Sequence, residues 1–366
     1  MSKGKHKKSK LRLLWKIPLA VVSSLLVLII IYVSYVFLSY SRIEDNLALS
    51  VEGNASADSV KIGKEYTALT YNAGFGAYTP DFTFFMDGGT QSWANSKESV
   101  INCINGVSTV AKEQKADFVL YQEVDTDSTR SYHVNEKEQI QSEFSGYNST
   151  FAQNYHSAFL LYPLTQPHGK SNSGLLTLSN SEITSSVRRS LPISTGFSKI
   201  LDLDRCYSVS HIPTENGKEL VLYNVHLSAY GSDDSILNAQ LDMLFEDMES
   251  EYKKGNYCIC GGDFNHDFTC TSKEDLNKEV TEQHAWATDF PDEKLPKGFK
   301  KCVNYSNKEI IPTTRNCDIP YCEDSFTVIL DGYIVSDNVK TTFLENHDTR
   351  FIYSDHNPVI MKFKLK

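Results

Sequence analysis

The stretch Gly261-Gly262-Asp263-Phe264-Asn265 and the stretch Tyr353-Ser354-Asp355-His356-Asn357-Pro358-Val359 each follow an apolar, strand-like run. The first places a carboxylate beside a carboxamide at the mouth of a strand, and the second places a carboxylate beside an imidazole. These are groups that metal-assisted phosphate hydrolysis requires. The rest of the chain must supply a further metal ligand and a second histidine for this interpretation to hold.

Polar residues of the same kind end or interrupt other strand-like runs. They are Asn72, Glu123, Asn224 with His226, and Asp331. Asp331 lies between Leu330 and Gly332, and an acid within an apolar strand needs a partner or a metal because an unpaired buried carboxylate is costly. We therefore expect these side chains to contribute to one site.

The patterns around these residues predict an α/β protein. Residues 66–121 are predicted to form a strand, a loop, a helix with apolar residues at helical spacing, and a second strand. Strand-like runs dominate beyond residue 157, beginning with Ser157–Tyr162, and further helices are predicted at 236–253 and 273–281. Strands with most helices outside them favour two packed sheets flanked by helices.

Six short blocks, in this order, resemble the endonuclease/exonuclease/phosphatase superfamily. The blocks are Thr70-Tyr71-Asn72, Gln122-Glu123-Val124, Asn224-Val225-His226-Leu227, Gly262-Asp263-Phe264-Asn265, Leu330-Asp331-Gly332-Tyr333 and Ser354-Asp355-His356. The resemblance covers residues 65–366. It implies the DNase I-like fold, which is a four-layer α-β-β-α sandwich of two packed mixed sheets. Neutral sphingomyelinases and inositol phosphatases share this fold.

Side-chain chemistry and the resemblance together assign roles to the acidic residues. Glu123, with Asn72 and Asp355, is expected to hold Mg²⁺ through hard oxygen donors, with Mn²⁺ or Ca²⁺ as alternatives. Asp263, held by Asn265, is expected to orient and deprotonate the attacking water. The site is therefore predicted to be that of a metal-dependent phosphoric ester hydrolase.

The two histidines and two further residues complete the predicted site. His226 and His356 are expected to flank the phosphoryl group and to stabilise its oxygens or protonate the departing one. The resemblance implies that Asp331 holds His356 in the required tautomer. Asn224 and Arg205 are candidate substrate-binding residues, although Arg205 could equally form a surface salt bridge.

The N-terminus differs from the rest of the chain. Residues 1–16 carry seven basic residues and no acid, and residues 17–40 then run without charge, which is long enough to cross a bilayer. A cleaved signal peptide is the alternative, but the run is longer than a usual signal core and no small-x-small pattern follows it. The positive-inside rule places residues 1–16 in the cytoplasm. We expect a linker at 41–64 and an extracellular catalytic domain at 65–366.

The charge balance bears on the substrate. All 46 acidic residues lie beyond residue 16, whereas seven of the 36 Lys and Arg lie before residue 17, so the remainder carries a formal charge of −17. This disfavours a tight clamp on nucleic acid, which relies on many basic contacts to phosphates. We expect a small or lipid-linked phosphodiester substrate. A membrane-anchored nuclease acting on DNA or RNA and an inactive binding module are the alternatives.

Two further features leave alternatives open. Eight cysteines include no C-x-x-C pair, which disfavours a zinc site, and Cys317 with Cys322 could close a short disulfide loop, although the sequence does not fix the disulfide pairing. The aromatic segment 75–93 either packs into the core or rims the cleft, where it would contact an apolar substrate or lipid. The sequence does not determine the oligomeric state.

Overall fold

The structure is a computed structural model that describes residues 3–194, 196, 204–228, 234–281, 284 and 286–366. The helices are α1 Lys3–Ser39, α2 Lys97–Glu113, α3 Glu136–Glu143, α4 Asp234–Lys253 and α5 Ser272–Leu276. The strands are β1 Leu47–Ala48, β2 Glu52–Gly53, β3 Glu65–Asn72, β4 Phe118–Asp125, β5 Asn148–His156, β6 Asn172–Ser179, β7 Ser185–Ser190, β8 Cys206–Pro213, β9 Glu219–His226, β10 Tyr257–Asp263, β11 Phe299–Lys301, β12 Thr314–Arg315, β13 Thr327–Val328, β14 Asp331–Ser336, β15 Val339–Asn346 and β16 Val359–Leu365.

Fourteen of the strands form two seven-stranded mixed sheets. The first has the order β15-β16-β3-β4-β6-β5-β2 and the second β1-β7-β8-β9-β10-β14-β11. Each sheet contains one parallel pair, β3 with β4 and β9 with β10. Because parallel strands end at the same edge of a sheet, the polar ends of each pair meet. In the second sheet, Asp263 is directly paired with His226 on one side and with Asp331 on the other.

Three apolar layers hold the sandwich together. Ile104 of α2 packs with the outer face of the first sheet, and Leu120 and Ile259 are buried in the layer shared by the two sheets. Leu244 of α4 is buried in a third layer against the outer face of the second sheet. The α-β-β-α sandwich predicted from the sequence is confirmed.

One strand prediction is wrong. The apolar run Ser157–Tyr162 lies outside the strands, whereas the more polar Asn148–His156 before it forms β5. Strand β5 lies between β6 and β2, and its side chains point alternately to the two faces of the sheet. A sequence that mixes polar and apolar residues suits such a strand. Pro163 and Pro167 follow the apolar run and disfavour its continuation as a strand. The helix expected at 273–281 is also shorter, ending at Leu276.

Residues 41–64, expected as a linker, lie along the sandwich. Strand β1 pairs with β7 and strand β2 with β5, adding edge strands to both sheets. Arg42 Nε and the Ile43 amide both donate to the carboxylate of Asp204, at 2.9 and 2.7 Å. The segment is therefore attached to the sandwich at several points. Helix α1 contains Trp15–Ser39, which is long and apolar enough to cross a membrane.

The eight cysteines, all within the described part of the chain, form no disulfide. Burial raises the pKa of several of these thiols, including Cys206 and Cys103, each to about 12. A buried thiol with a raised pKa is unreactive and packs as a small apolar group. The bridge considered for Cys317 with Cys322 is absent.

Gly262 tests how closely the strands pack at the end of β10, next to Asp263. Its φ is 149°, and a Cβ added there would lie 2.1 Å from the Val225 carbonyl oxygen of the neighbouring strand. Gly217 also has positive φ, at 76°, but its surroundings are open. We expect Gly262→Ala to lower the free energy of unfolding by roughly 3 kcal/mol or more. Gly217→Ala should cost only about 1 kcal/mol. Thermal denaturation of both variants measures the difference, and equal losses would contradict the clash.

Candidate active site

The polar strand ends meet around Asp263. The Nδ2 atom of Asn72 donates to Asp263 Oδ2 at 3.1 Å and to Glu123 Oε1 at 3.3 Å. His226 Nε2 and His356 Nε2 lie 3.7 and 3.8 Å from the same Asp263 oxygen. Side chains separated by almost three hundred positions therefore converge at the carboxyl ends of the parallel strands.

His356 forms a buried pair with Asp331. Its Nδ1 lies 2.7 Å from Asp331 Oδ2, and the Thr314 hydroxyl donates to the same carboxylate oxygen at 3.2 Å. Burial alone would lower the pKa of His356, but the negative charges of Asp331 and Asp355 and the hydrogen bond to Asp331 outweigh it and raise the pKa to about 10. The ring is therefore cationic at neutral pH, with Nε2 facing Asp263.

This pair predicts a shifted pH profile for Asp331→Asn. The substitution removes the charge that keeps His356 protonated, so the pKa of His356 falls towards the low value that burial favours. Because the cationic form is lost as pH rises through this pKa, we expect activity to decline at a lower pH in the variant than in the wild type. The pH dependence of kcat measures this shift. Asp337→Asn, an exposed change just after β14, serves as the control, and coincident alkaline limbs would contradict the pairing.

His226 has the opposite electrostatic setting. Burial, followed by the positive charges of Arg205 and His356, lowers the pKa of His226 well below its usual range. Its Nδ1 has no hydrogen-bond partner among the described residues. The site thus combines a neutral imidazole with a cationic one on either side of Asp263.

Asp263 is suited to accept a proton near neutral pH. Burial, and then the charge of Asp331, raise the pKa of Asp263 to about 7. The backbone amide of Asn265 donates to Asp263 Oδ1 at 2.9 Å, whereas the Asn265 side chain donates to the Leu227 carbonyl at 2.8 Å. Asn265 therefore holds Asp263 through its backbone, and its side chain ties this turn to the end of β9.

Glu123 reaches the cleft through a bulge in β4. The pairing of β4 with β6 shifts register between Tyr121 and Val124, and Glu123 has a φ of 52°. Such bulges re-aim side chains. Gln122 points between the sheets and donates to Asn224 Oδ1 at 2.8 Å, while Glu123 lines the cleft.

Glu123 and Asp355 offer oxygen donors to a cation. Asp355 is half-buried, and its pKa is raised to about 6, first by desolvation and then by the charge of Glu123, against the opposing effect of His356. Two neighbouring carboxylates in a buried site repel each other unless a cation lies between them. This donor set fits a hard divalent ion such as Mg²⁺, Mn²⁺ or Ca²⁺.

Asn72 is oriented differently from the metal ligand that the sequence predicted. Its Oδ1 accepts from the Gly74 amide at 3.0 Å, and its Nδ2 faces the two carboxylates. Turning the amide would place NH₂ against the Gly74 N–H. Asn72 therefore bridges Glu123 and Asp263 as a donor in this structure.

A second group could also hold a metal by spacing alone. One ligand atom from each of Asp263, Asp331 and His356 lies within 4.8 Å of the others. However, the Asp331–His356 hydrogen bond already uses two of these side chains, and a cationic imidazole repels a metal ion. We therefore favour the site between Glu123 and Asp355.

Asn224, predicted to bind substrate, lies inside the sandwich. Its Nδ2 contacts Tyr121 O at 3.1 Å, Leu176 O at 3.3 Å and Thr177 Oγ1 at 3.2 Å, and its Oδ1 accepts from Gln122. The side chain is buried and joins the two sheets. The structure does not bring it into the cleft.

The cleft walls contain Arg205 and further polar residues that are not among the candidates selected from the sequence. Arg205, predicted to bind phosphate, is buried in the wall, and Arg315 lies there too. The Nη2 of Arg315 donates to Thr79 O at 3.0 Å, but its Nε and Nη1 have no partner among the described residues. The same holds for Asn154 Nδ2 and Ser173 Oγ, which also line the cleft. Arg315 lies on a two-residue strand and Arg205 just before β8, whereas Asn154 and Ser173 lie on β5 and β6.

The aromatic segment 75–93 contributes residues both to the core and to the lining of the cleft. Phe75, Tyr78 and Phe82 are buried, and their rings contact one another edge to face in the order Phe75, Tyr78, Phe82. Phe84 is only partly buried and lines the cleft together with Met86, which is 66% exposed. The beginning of the segment is thus core, and its later residues form the rim.

The sandwich, with carboxylates and histidines gathered at its strand ends, defines a DNase I-like protein. The model of the Endonuclease/Exonuclease/phosphatase family matches residues 69–298. The chain belongs to this family, whose members are in general phosphoester hydrolases. The matched region ends before Asp331 and His356; His356 lines the same cleft, and Asp331 is hydrogen-bonded to it.

Solved structures share the fold at low sequence identity. The endonuclease/exonuclease/phosphatase from Beutenbergia cavernae DSM 12333 is 14% identical with a TM-score of 0.57, covering 82% of this chain and 72% of that one. The human Nocturnin catalytic domain with bound sulfate is 15% identical with a TM-score of 0.52, covering 87% and 98%. ANGEL2, a 2′,3′-cyclic phosphatase, is 14% identical with a TM-score of 0.51, also covering 87% and 98%. At these identities the likeness shows the fold alone. No curated protein sequence matches the chain.

Proposed function

We propose that the chain is a membrane-anchored, divalent-metal-dependent phosphoesterase that cleaves a small or lipid-linked phosphodiester outside the cell membrane. The observation that carries this proposal is the convergence of Glu123, Asp263 and His356 in one buried cleft. Membership of the endonuclease/exonuclease/phosphatase family supports the reaction class.

The electrostatics support a division of roles. A divalent ion held by Glu123 and Asp355 would polarise a phosphoryl oxygen and neutralise its charge. Asp263, with a pKa of about 7, accepts a proton from the attacking water. Cationic His356, held by Asp331, donates a hydrogen bond to a phosphoryl oxygen, and neutral His226 borders the same space.

The cleft wall supports an anionic, oxygen-rich ligand. Arg315 Nε and Nη1, Asn154 Nδ2 and Ser173 Oγ are buried and lack partners among the described residues. Buried donors are costly unless they are hydrogen-bonded. A phosphodiester can satisfy them, and a guanidinium group suits two phosphate oxygens. We assign Arg315, together with Arg205, to substrate binding.

The remaining features favour a small or lipid-linked substrate over a polymer. The charge of −17 beyond residue 16 opposes a long nucleic-acid contact. The apolar helix Trp15–Ser39 favours a substrate at the membrane. The cluster of basic residues before this helix has no counterpart just after it. By the positive-inside rule, this favours a catalytic domain outside the cell.

Hydrolysis of bis-p-nitrophenyl phosphate by the full chain, with and without EDTA, tests the reaction class. We expect turnover that EDTA abolishes and that Mg²⁺, Mn²⁺ or Ca²⁺ restores. Absence of chelator-sensitive turnover would favour a binding module instead. Plasmid DNA and vesicles of phospholipid or sphingomyelin then separate the substrates, and rapid DNA nicking with inert lipids would favour the nuclease.

A further inference from the structure

An exposed apolar loop lies beside the anchor helix. Residues 157–168, here called the apolar loop, contain no Asp, Glu, Lys or Arg. Phe159 and Leu161 are 40% and 41% exposed, and Tyr162 and Leu164 are 71% and 84% exposed. A contiguous exposed apolar surface of this kind marks an interaction site.

The loop is held in place by polar contacts behind it. The Trp93 indole N–H donates to Pro167 O at 2.7 Å, and the Ser92 amide donates to Gln166 Oε1 at 2.9 Å. Leu160 and Gly169 form an antiparallel bridge. The exposed side chains are therefore presented by a structured loop.

The anchor helix contacts this loop directly. The Tyr32 hydroxyl accepts from the Leu161 amide at 3.0 Å and donates to Phe159 O at 3.3 Å, and the Tyr35 hydroxyl accepts from the Phe159 amide at 3.1 Å. Both tyrosines lie within the apolar span Trp15–Ser39.

The position of this contact along the helix gives the depth of the loop. The span of 25 residues is about 37 Å long, longer than the roughly 30 Å of hydrocarbon. Tyr32 lies about 10 Å before the end of the span. With the excess length shared between the two ends, Tyr32 lies roughly 7 Å below the boundary of the hydrocarbon, a depth that interfacial apolar segments reach. The loop is consequently placed at the same level.

The exposed surface is continuous with the cleft rim. The Phe85 ring lies 5.8 Å from the Tyr162 ring and 5.9 Å from the His168 ring, measured between centroids. The neighbours of Phe85, Phe84 and Met86, both line the cleft. One apolar surface therefore extends from the anchor to the mouth of the candidate active site.

We propose that the apolar loop inserts into the outer interfacial layer of the phospholipid bilayer beside the anchor and holds the cleft mouth against the lipid surface. The occupant of this surface is the bilayer, because the loop is hydrogen-bonded to the helix that we propose to cross the bilayer. The proposal rests on the spanning of the bilayer by residues 15–39 and on no catalytic step. It gives the phosphodiester site access to lipid headgroups.

Fluorescence quenching in vesicles tests this insertion with the full chain. Cys322 and Cys270, the exposed and half-buried thiols, are replaced by Ser, and Leu164→Cys is labelled with the environment-sensitive dye NBD. The control label is at Lys253→Cys, where the side chain is 72% exposed. Lys253 ends α4 and lies near the start of β10, whereas the cleft lies at the other end of that strand. Phosphatidylcholine vesicles carry a nitroxide on an acyl carbon near the headgroup.

We expect nitroxide lipids to quench the label at residue 164 about two-fold or more, as burial at the headgroup boundary implies, and to leave the label at residue 253 unchanged. Equal emission at both sites with and without nitroxide would overturn the proposal. So would shielding of residue 164 without lipid quenching, which a second copy of the chain would produce, or release of the protein from vesicles by alkaline carbonate.

A functional measurement separates this proposal from the proposed activity. The double variant Leu161→Ser with Leu164→Ser should lose most of the lipid quenching of a label at Tyr162→Cys, while hydrolysis of soluble bis-p-nitrophenyl phosphate stays unchanged. Retained quenching in this variant would contradict insertion through these side chains. A wild-type chain without turnover but with quenching would refute the activity alone.

Discussion

Asp263→Asn is expected to lower kcat/KM for a phosphodiester by about 10²–10⁴-fold, the usual contribution of a positioned general base. Asparagine keeps the size of the side chain and one oxygen that can accept from the Asn265 amide, but it cannot accept a proton. Steady-state hydrolysis measures the loss. Asp324→Asn, at a site 78% exposed, should leave the rate unchanged.

The stability of the same variant separates lost chemistry from misfolding. Burial raises the pKa of Asp263 to about 7, so the folded state loses stability as pH rises from the ordinary carboxyl pKa of about 4 to about 7, and the loss persists above that pH. Asparagine removes this cost. We expect the thermal midpoint of Asp263→Asn at pH 8 to equal or exceed that of the wild type. An active variant, or an inactive one with a lowered midpoint, would contradict the assigned role.

His356→Gln should cost about 10²–10³-fold in kcat, because the substitution removes the only cationic imidazole expected at the phosphoryl group. Asp331 acts through His356, so the double variant His356→Gln with Asp331→Asn should be about as slow as His356→Gln alone. Residues that act as one unit show such non-additivity. Multiplicative losses in the double variant would mean that Asp331 acts independently of His356.

The sequence indicated which residues would lie together because most of them sit at the ends of recognisable strands. Asp263, His226 and Glu123 follow apolar runs, and parallel pairing then brings the ends of β3 with β4 and β9 with β10 together. Asp331 was recognisable as an acid within an apolar strand. These inferences needed only local patterns and the rules of sheet pairing.

Side-chain direction could not be obtained in the same way. The bulge at Gln122 and Glu123 depends on pairing with β6, fifty residues away in sequence. It sends Gln122 to Asn224 between the sheets, so Asn224 lies inside the sandwich although its motif suggested the cleft. Arg315 belongs to a two-residue strand, which is too short to show a period.

Local sequence patterns also failed to predict the structure of two segments, residues 41–64 and the apolar loop. The polar composition of residues 41–64 suggested a solvated linker, yet this segment adds edge strands to both sheets. The first part of the apolar loop, Ser157–Tyr162, is predicted as a strand because apolar runs usually indicate burial. The exposure of this loop is explained by its contact with Tyr32 and Tyr35 of the apolar helix.

The binding of Mn²⁺ to the purified full chain, followed by calorimetry in wild type, Glu123→Gln and Asp127→Asn, tests the central claim most directly. Asp127 lies four residues beyond Glu123, is 58% exposed and serves as the matched control. We predict a site whose affinity falls about 10-fold or more in Glu123→Gln and is unchanged in Asp127→Asn. Equal affinity in Glu123→Gln and the wild type would contradict a cation-holding cleft at these strand ends.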